Sequence, residues 1–313
     1  MTDTPSRAAR ARFALAASLA ALASLYSAPA ARAFCRETTS TSSDGPCVED
    51  PSSKRLVWKR SCMTYVFNRE VFGRLELLDE ASIRDQFQRS FDAWADVDCG
   101  DDKAPFFVEQ SQDVTDTDAS EFREDVVNES VIIARTREEW AENELSSNVI
   151  ALTVLWHDRN TGEIFDVDMQ LNTGIGDFTD CRDECRAGEI DLRNTVTHEA
   201  GHLLGLGHSK VAGSTMFDNN ASPGDIEKRT LEADDEAGYC SLDLPSFKCK
   251  GGDCECPAPD LFSSTQTVKT CGCAVPGAGA PPGGLAAGVG AVLCALLGRR
   301  ARRGRAQRGK CAA

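Results

Sequence analysis

Of the four histidines in this 313-residue chain, three fall within eleven residues: His198, His202 and His208, in the stretch THEAGHLLGLGHSKVAGSTMFD (Thr197 to Asp218). Neutral imidazole is a good metal ligand. On a helix, residues i and i+4 stand one above the other on the same face, so His198 and His202 present two nitrogens to one point. Glu199 is offset by one residue, which sets its carboxylate beside the pair, where it can touch a water molecule held there. Gly205 and Gly207 let the chain leave the helix through a left-handed turn, and that turn can bring His208 back as a third nitrogen. Three ligands leave one tetrahedral position open, the pattern of a catalytic zinc rather than a closed structural one. The implied chemistry is hydrolysis of a peptide bond. Zinc lowers the pKa of water from about 15.7 towards about 7, with Glu199 as general base and then as proton donor to the leaving amine.

The complete pattern is H-E-x-x-H-x-x-G-x-x-H followed by Met216. An ordinary amphipathic helix carrying histidines would leave Glu199, Gly205, His208 and Met216 as four separate coincidences. A deformylase-type amidase would need a cysteine ligand upstream in place of the third histidine. A catalytically silent peptide-binding module would have no need of Glu199.

These side chains need a helix, and the sequence supplies one. Asp191 can cap a helix running to Leu204, with Leu192, Val196, Ala200, Leu203 and Leu204 as its apolar face. Upstream, Ile83, Phe87, Phe91, Trp94 and Val97 draw one stripe down a second helix. RLVWKRSCMTYVF (Arg55 to Phe67), PFFVEQ (Pro105 to Gln110) and SVIIAR (Ser130 to Arg135) read as strands. Asn148 to Asn172 reads as a hairpin turning at Gly162, and the partial alternation from Ile164 to Leu171 suggests an edge strand. TLEADDEAGYC suggests a last short helix, with Thr230 as cap and Gly238 near its end.

The two ends read differently from the body. Arg7, Arg10 and Arg12, the apolar run Phe13 to Tyr26 and Ala31-Arg32-Ala33 form the three parts of a secretory signal peptide. The 14 cysteines suit an oxidising compartment and disulfides. The tail cluster (Cys249, Cys254, Cys256, Cys271, Cys273) lacks the paired C-x2-C knuckles of a zinc knot. Eleven of the 34 basic residues and one of the 49 acidic residues lie in the two ends, which leaves the body at a net −25. So acidic a body excludes nucleic acid as a partner. Calcium could draw oxygen ligands from Asp113, Asp116 and Asp118, or from Asp166 and Asp168, although solvated acidic side chains are the favoured reading for both sets. His157, at a hairpin shoulder, is read as a plain polar residue. Ala274 to Gly298 carries no charge and leads into RRARRGRAQRGK, an apolar run with a basic stop that would anchor the chain in a membrane or at the cell surface. The expected organisation is therefore a signal peptide (1–33), an irregular segment (34–54), a catalytic domain (55–244) and a Cys/Gly/Pro-rich stalk (245–283). A hydrophobic segment (284–298) and a basic cytoplasmic tail (299–313) follow.

HEAGHLLGLGH with Met216 and Ser209 resembles the zinc-binding signature of the metzincin clan of endopeptidases, and within it the matrixin-like group. The resemblance implies an α+β zincin fold: a twisted mixed sheet, two main helices over a cleft, and a small irregular C-terminal subdomain. It also implies His198, His202 and His208 as ligands of one catalytic zinc, Glu199 as general base and Met216 as the Met-turn beneath the metal. Asp235 is the candidate prop for that turn. Protein or peptide substrates would lie extended along an edge strand, read here as Ile164 to Leu171. Only His157 remains for the second, structural zinc of matrixins, so none is expected. No PRCGxPD segment is present to supply thiolate latency, and DGPCVED around Cys47 is a poor substitute. The CGC cluster, hydrophobic run and Arg-rich end are similar to Myxo-CTERM sorting segments, which implies export to a bacterial cell surface.

Overall fold

In the computed structural model the described residues are 34–40, 52–60, 62–100, 107–118, 120, 122, 128–217 and 224–245, with the backbone of 266–274 and 307–310. The signal peptide, Cys47, most of the stalk and the hydrophobic segment 284–298 lie outside them. Among the described residues no helix is long and apolar enough to cross a membrane.

In chain order the elements are β1 (Cys35–Arg36), β2 (Val57–Trp58), β3 (Cys62–Asn68), α1 (Val71–Arg74) and α2 (Glu80–Ala95). Then follow β4 (Phe107–Thr115), β5 (Ser130–Arg135), α3 (Arg137–Glu142), β6 (Val149–Asp158) and β7 (Glu163–Asn172). Next come β8 (Asp177–Thr179), β9 (Glu189–Asp191), α4 (Leu192–Leu204), β10 (Leu206–Gly207), a 3-10 turn (Glu227–Arg229) and α5 (Ala233–Ser241). Two tail strands follow, β11 (Gln266–Ala274) and β12 (Gln307–Lys310). The main sheet has the order β12-β11-β6-β7-β5-β3-β4. β4, β3, β5 and β7 run parallel, while β6 is antiparallel to β7. Helices α2 and α4 pack together over one face, and the chain beyond Gly205 forms a small subdomain around α5, so the α+β zincin architecture expected from the sequence is the one observed.

The apolar stripe of α2 buries Ile83, Phe87, Phe91 and Trp94 in the main core, and Asp79 caps the helix by accepting from the Ser82 amide. Val97 lies just past the helix end but still packs against that core. A disulfide from Cys99 to Cys240 ties the end of α2 to α5.

Three expectations need correction. The run Arg55 to Phe67 is not one strand: Val57–Trp58 joins the start of β7, whereas Cys62–Asn68 sits between β4 and β5. Thr230 does not cap α5; Glu232 and Asp235 form the capping box there. Ile164 to Leu171 is not an edge strand, because β7 is flanked by β6 on one side and by β2 and β5 on the other.

The misreading of β7 has a physical cause. Its alternate polar residues Asp166, Asp168 and Gln170 face away from the main core but not towards water. A second apolar layer of Trp140, Leu152, Val154, Trp156 and Phe165, with Phe122 against it, covers that face. Asp166 and Asp168 are therefore buried, not solvated, which corrects that reading too. Asp166 accepts from Ser130 Oγ (2.8 Å). Asp168 accepts from the Val131 amide (3.1 Å), Trp156 Nε1 (3.1 Å) and Ser120 Oγ (3.0 Å). Asp113, Asp116 and Asp118 are exposed, and Asp116 pairs with Arg69.

Burial pushes Asp168 up from 3.8 to about 7, and burial plus the neighbouring Asp168 pushes Asp166 well above its ordinary value. A carboxyl that holds its proton more tightly folded than unfolded stabilises the fold fully below the unfolded pKa. That contribution is lost as pH rises through the folded value. Asp168 should thus cost stability progressively between pH 3.8 and about 7. The expected outcome is that Asp168→Asn becomes more stable relative to the wild type as pH rises across this window. Thermal melts of both chains at matched pH check it, and a constant gap between them would contradict it.

Candidate active site

The site is assembled at the C-terminal end of α4. Asp191 starts this helix: its carboxylate accepts from the Asn194 amide (2.7 Å) and is gripped by Arg229 through Nε (2.8 Å) and a terminal nitrogen (2.5 Å). Two tryptophans hold the helix from outside. Trp94 Nε1 donates to the Thr197 carbonyl (2.9 Å) and Trp58 Nε1 to the Leu203 carbonyl (2.8 Å). The helix ends at Gly205, whose φ of +103° is the left-handed conformation that favours glycine. The backbone then reverses through β10, which pairs with β1 at Cys35↔Gly207 and Arg36↔Leu206.

That reversal delivers His208 to the other two histidines. Its Nε2 lies 3.2 Å from Nε2 of His198 and 3.2 Å from Nε2 of His202. Nδ1 of His198 meets the Thr215 carbonyl (2.6 Å), and Nδ1 of His202 meets the Leu206 carbonyl (2.9 Å). A carbonyl only accepts, so both rings carry their proton on Nδ1 and aim an Nε2 lone pair inward. One proton on His208 Nε2 could satisfy only one of those two lone pairs. A shared cation satisfies all three rings, and tetrahedral zinc with Zn–N near 2.0–2.1 Å separates its ligands by about 3.4 Å. The residues fit the metal. Among the described residues, no other group of three or more His, Cys, Asp or Glu side chains converges in this way.

All three rings are buried, and burial is the main force that holds His198 and His208 neutral, His208 being pushed down to about 3. The Lys228 charge, 3.4 Å from His198 Nδ1, adds to this effect on His198. The Lys228 ammonium itself donates to the Phe217 carbonyl (3.2 Å). Glu37, buried near β10, pulls His208 the other way.

Glu199 is fully buried beside the triad, and its Oε2 accepts from Thr153 Oγ1 (2.6 Å) in the middle of β6. Met216 lies under the helix. A Cβ on Gly201 would come within 2.2 Å of the Met216 sulfur and 2.8 Å of the Trp94 ring, so any larger residue at that turn of α4 must displace both side chains. Asp235 braces the loop by accepting from the amides of Thr215 (2.7 Å), Met216 (2.9 Å) and Glu232 (2.9 Å). Ser209, directly after the third histidine, donates to Asp234 (2.6 Å), and its amide donates to the Met216 carbonyl (2.6 Å).

The structure thus brings together every residue singled out for the site: His198, Glu199, His202, Gly205, His208, Met216 and Asp235. His157 is buried in β6 and belongs to no such group. Residues 218–223, which follow the Met216 loop, lie outside the described residues. Sequence reading missed Thr153, Glu37, Gly201 and the Arg229–Asp191 clamp. An i, i+3 glycine inside the motif was the one local signal among these; the others pair residues far apart in the chain.

Residues 57–242 match the matrixin family. The chain belongs to that family. Matrixins are zinc enzymes, in keeping with the converging imidazoles. The matrixin chain described here is also 25% identical over 199 residues to "Metalloendoproteinase 1-MMP" of Arabidopsis thaliana, a match covering 62% of this chain and 46% of that protein. It therefore spans about half the length of the curated relative that it matches.

The prop beneath the Met-turn of this matrixin gives a direct test. Asp235→Ala leaves the buried amides of Thr215 and Met216, and the more exposed one of Glu232, without their acceptor, for an expected loss of about 2–4 kcal/mol. Thr215 also holds His198, so zinc affinity should weaken at the same time. Denaturant unfolding and zinc titration read the two effects, and a variant unchanged in both would show that the loop stands without its prop.

Proposed function

We propose that this matrixin is an exported zinc endopeptidase. The observation that carries the reading is the convergence of three buried imidazoles beside a buried glutamate that a strand hydroxyl orients. His198, His202 and His208 would hold the zinc, which supplies a Lewis acid for the scissile carbonyl and makes water a nucleophile near neutral pH. The chain's own residues do the rest. Glu199 takes a proton from the attacking water as its oxygen bonds to the carbonyl carbon. It then passes that proton to the amide nitrogen as the C–N bond breaks, which leaves a carboxylate and an amine. Thr153 fixes the rotamer of Glu199 through one carboxylate oxygen and leaves the other for the water. Met216 and the Asp235-braced loop keep the His198 ring in place from below.

Digestion of an unstructured protein such as casein, with and without a zinc chelator, tests the reading. Chelator-sensitive cleavage is expected, and cleavage indifferent to the chelator would remove it.

Export and surface anchoring are supported by the tripartite N-terminus, the cysteine content and the apolar run with its basic end. The backbone of β12 lies within the basic tail and pairs with β11. Insertion of 284–298 into a membrane would dissolve that pairing, so the two describe different states of the tail. N-terminal sequencing of the exported chain should begin at Phe34; recovery only as an intracellular chain beginning at Met1 would sink export.

A further inference from the structure

Thr153 of β6 holds Glu199, so the side of β6 away from β7 is where an extended peptide would meet the catalytic residues, and this chain already has a strand there. β6 pairs with β7 along one side. Along the other, β11 runs antiparallel from Gln266 opposite Asp158 to Ala274 opposite Val149, nearly the full length of β6. Cys271 stands at the register position opposite Thr153, whose hydroxyl holds Glu199. β11 also approaches α4, the helix that carries His198 and His202. An exposed strand edge recruits another strand through its unpaired N–H and C=O groups. A β6 edge can pair with only one strand at a time, so an incoming peptide and β11 exclude each other.

We propose that Gln266–Ala274 is a resident, intramolecular occupant of the substrate-binding edge, so that the enzyme covers its own cleft and a substrate must displace this segment to be cut. The inference rests on the protease reading of the same site. Residues 245–265 join the occupant to the catalytic domain in sequence, and covalent linkage over so few residues places its end at an effective concentration of about millimolar. Against a strand that would bind with a Kd of about 0.1 mM when separate, this raises the apparent KM for a peptide substrate about tenfold.

The test uses the full chain. Val268→Pro with Lys269→Pro removes an inward amide whichever of the two faces β6, since neighbouring strand residues point opposite ways. Val268→Ala with Lys269→Ala keeps both amides. The double-proline chain should show an apparent KM about tenfold lower with kcat unchanged, and the double-alanine chain should match the wild type. A synthetic peptide of residues 266–274 bearing Cys271→Ser and Cys273→Ser should inhibit the double-proline chain competitively. Hydrogen exchange along Val149–Asp158 gives a readout that needs no activity: the alternate amides that face β11 rather than β7 should be protected in the wild type and exposed by the prolines, while those bonded to β7 stay protected in both. If the exchange difference appears but no variant cleaves peptide, the strand docking stands and the protease reading fails. If β6 exchanges like an open edge in the wild type, or the prolines leave KM unchanged in an active enzyme, the proposal is overturned.

Discussion

Glu199→Gln should lower kcat on a peptide substrate by about 10²- to 10⁴-fold, the range attributed to a positioned general base. The amide keeps the size of the carboxylate and can still accept from Thr153 Oγ1, which lies 2.6 Å from Oε2 in the wild type. It cannot take a proton from water at neutral pH. The loss should therefore fall on kcat rather than on KM, with zinc content and melting temperature close to those of the wild type. That split separates a proton-transfer role from a packing role, because a packing defect in so buried a place would also appear in the melt. A Glu199→Gln enzyme that retains zinc and keeps kcat within about threefold of the wild type would show that the proton goes elsewhere.

His208→Ala should remove the metal itself. The other two rings stay on α4, but two nitrogens in place of three cannot hold zinc at ordinary concentrations, so bound metal should fall from one per chain towards none. A metal Lewis acid contributes several kcal/mol to lowering the barrier, and each 1.4 kcal/mol is tenfold, so kcat/KM should fall by about 10³-fold or more. Stability offers an independent reading. A ligand that binds only the folded state raises the melting temperature with its concentration. Added zinc should stabilise the wild type and leave His208→Ala unmoved. A variant that still shows zinc-dependent stabilisation would mean that His208 is not one of the ligands, despite the 3.2 Å approach of its Nε2 to the other two.

What could be read directly was local in the chain. The four-residue step between His198 and His202, the Asp191 cap and the break at Gly205 each depend on contacts within a turn or two of helix. There backbone geometry leaves few choices. The apolar stripe ending at Trp94 was legible for the same reason, although not that its indole would hold the Thr197 carbonyl. Asp235 could be named from its place in a recognised helix, while its three amide contacts could not.

Apart from the cap of α5, misplaced by two residues from Glu232 to Thr230, the errors concern distance along the chain. A strand's alternation says which residues share a face but not what covers that face, so Asp166 and Asp168 looked solvated when Ser130 in fact holds the first and Trp156 and Ser120 hold the second. Nor does it say which strands flank it, so β7 looked like an edge.

The sequence by itself determined the chemistry: three imidazoles, a glutamate and a left-handed glycine at spacings that a helix and its turn convert into a metal site with one open corner. Only the tertiary structure decided which strand faces that corner, that Thr153 orients Glu199 from 46 residues away, and that a segment of the chain's own tail lies along the same edge. The reason is that helix geometry follows from neighbouring residues, whereas strand order and burial follow from which distant segments pack together.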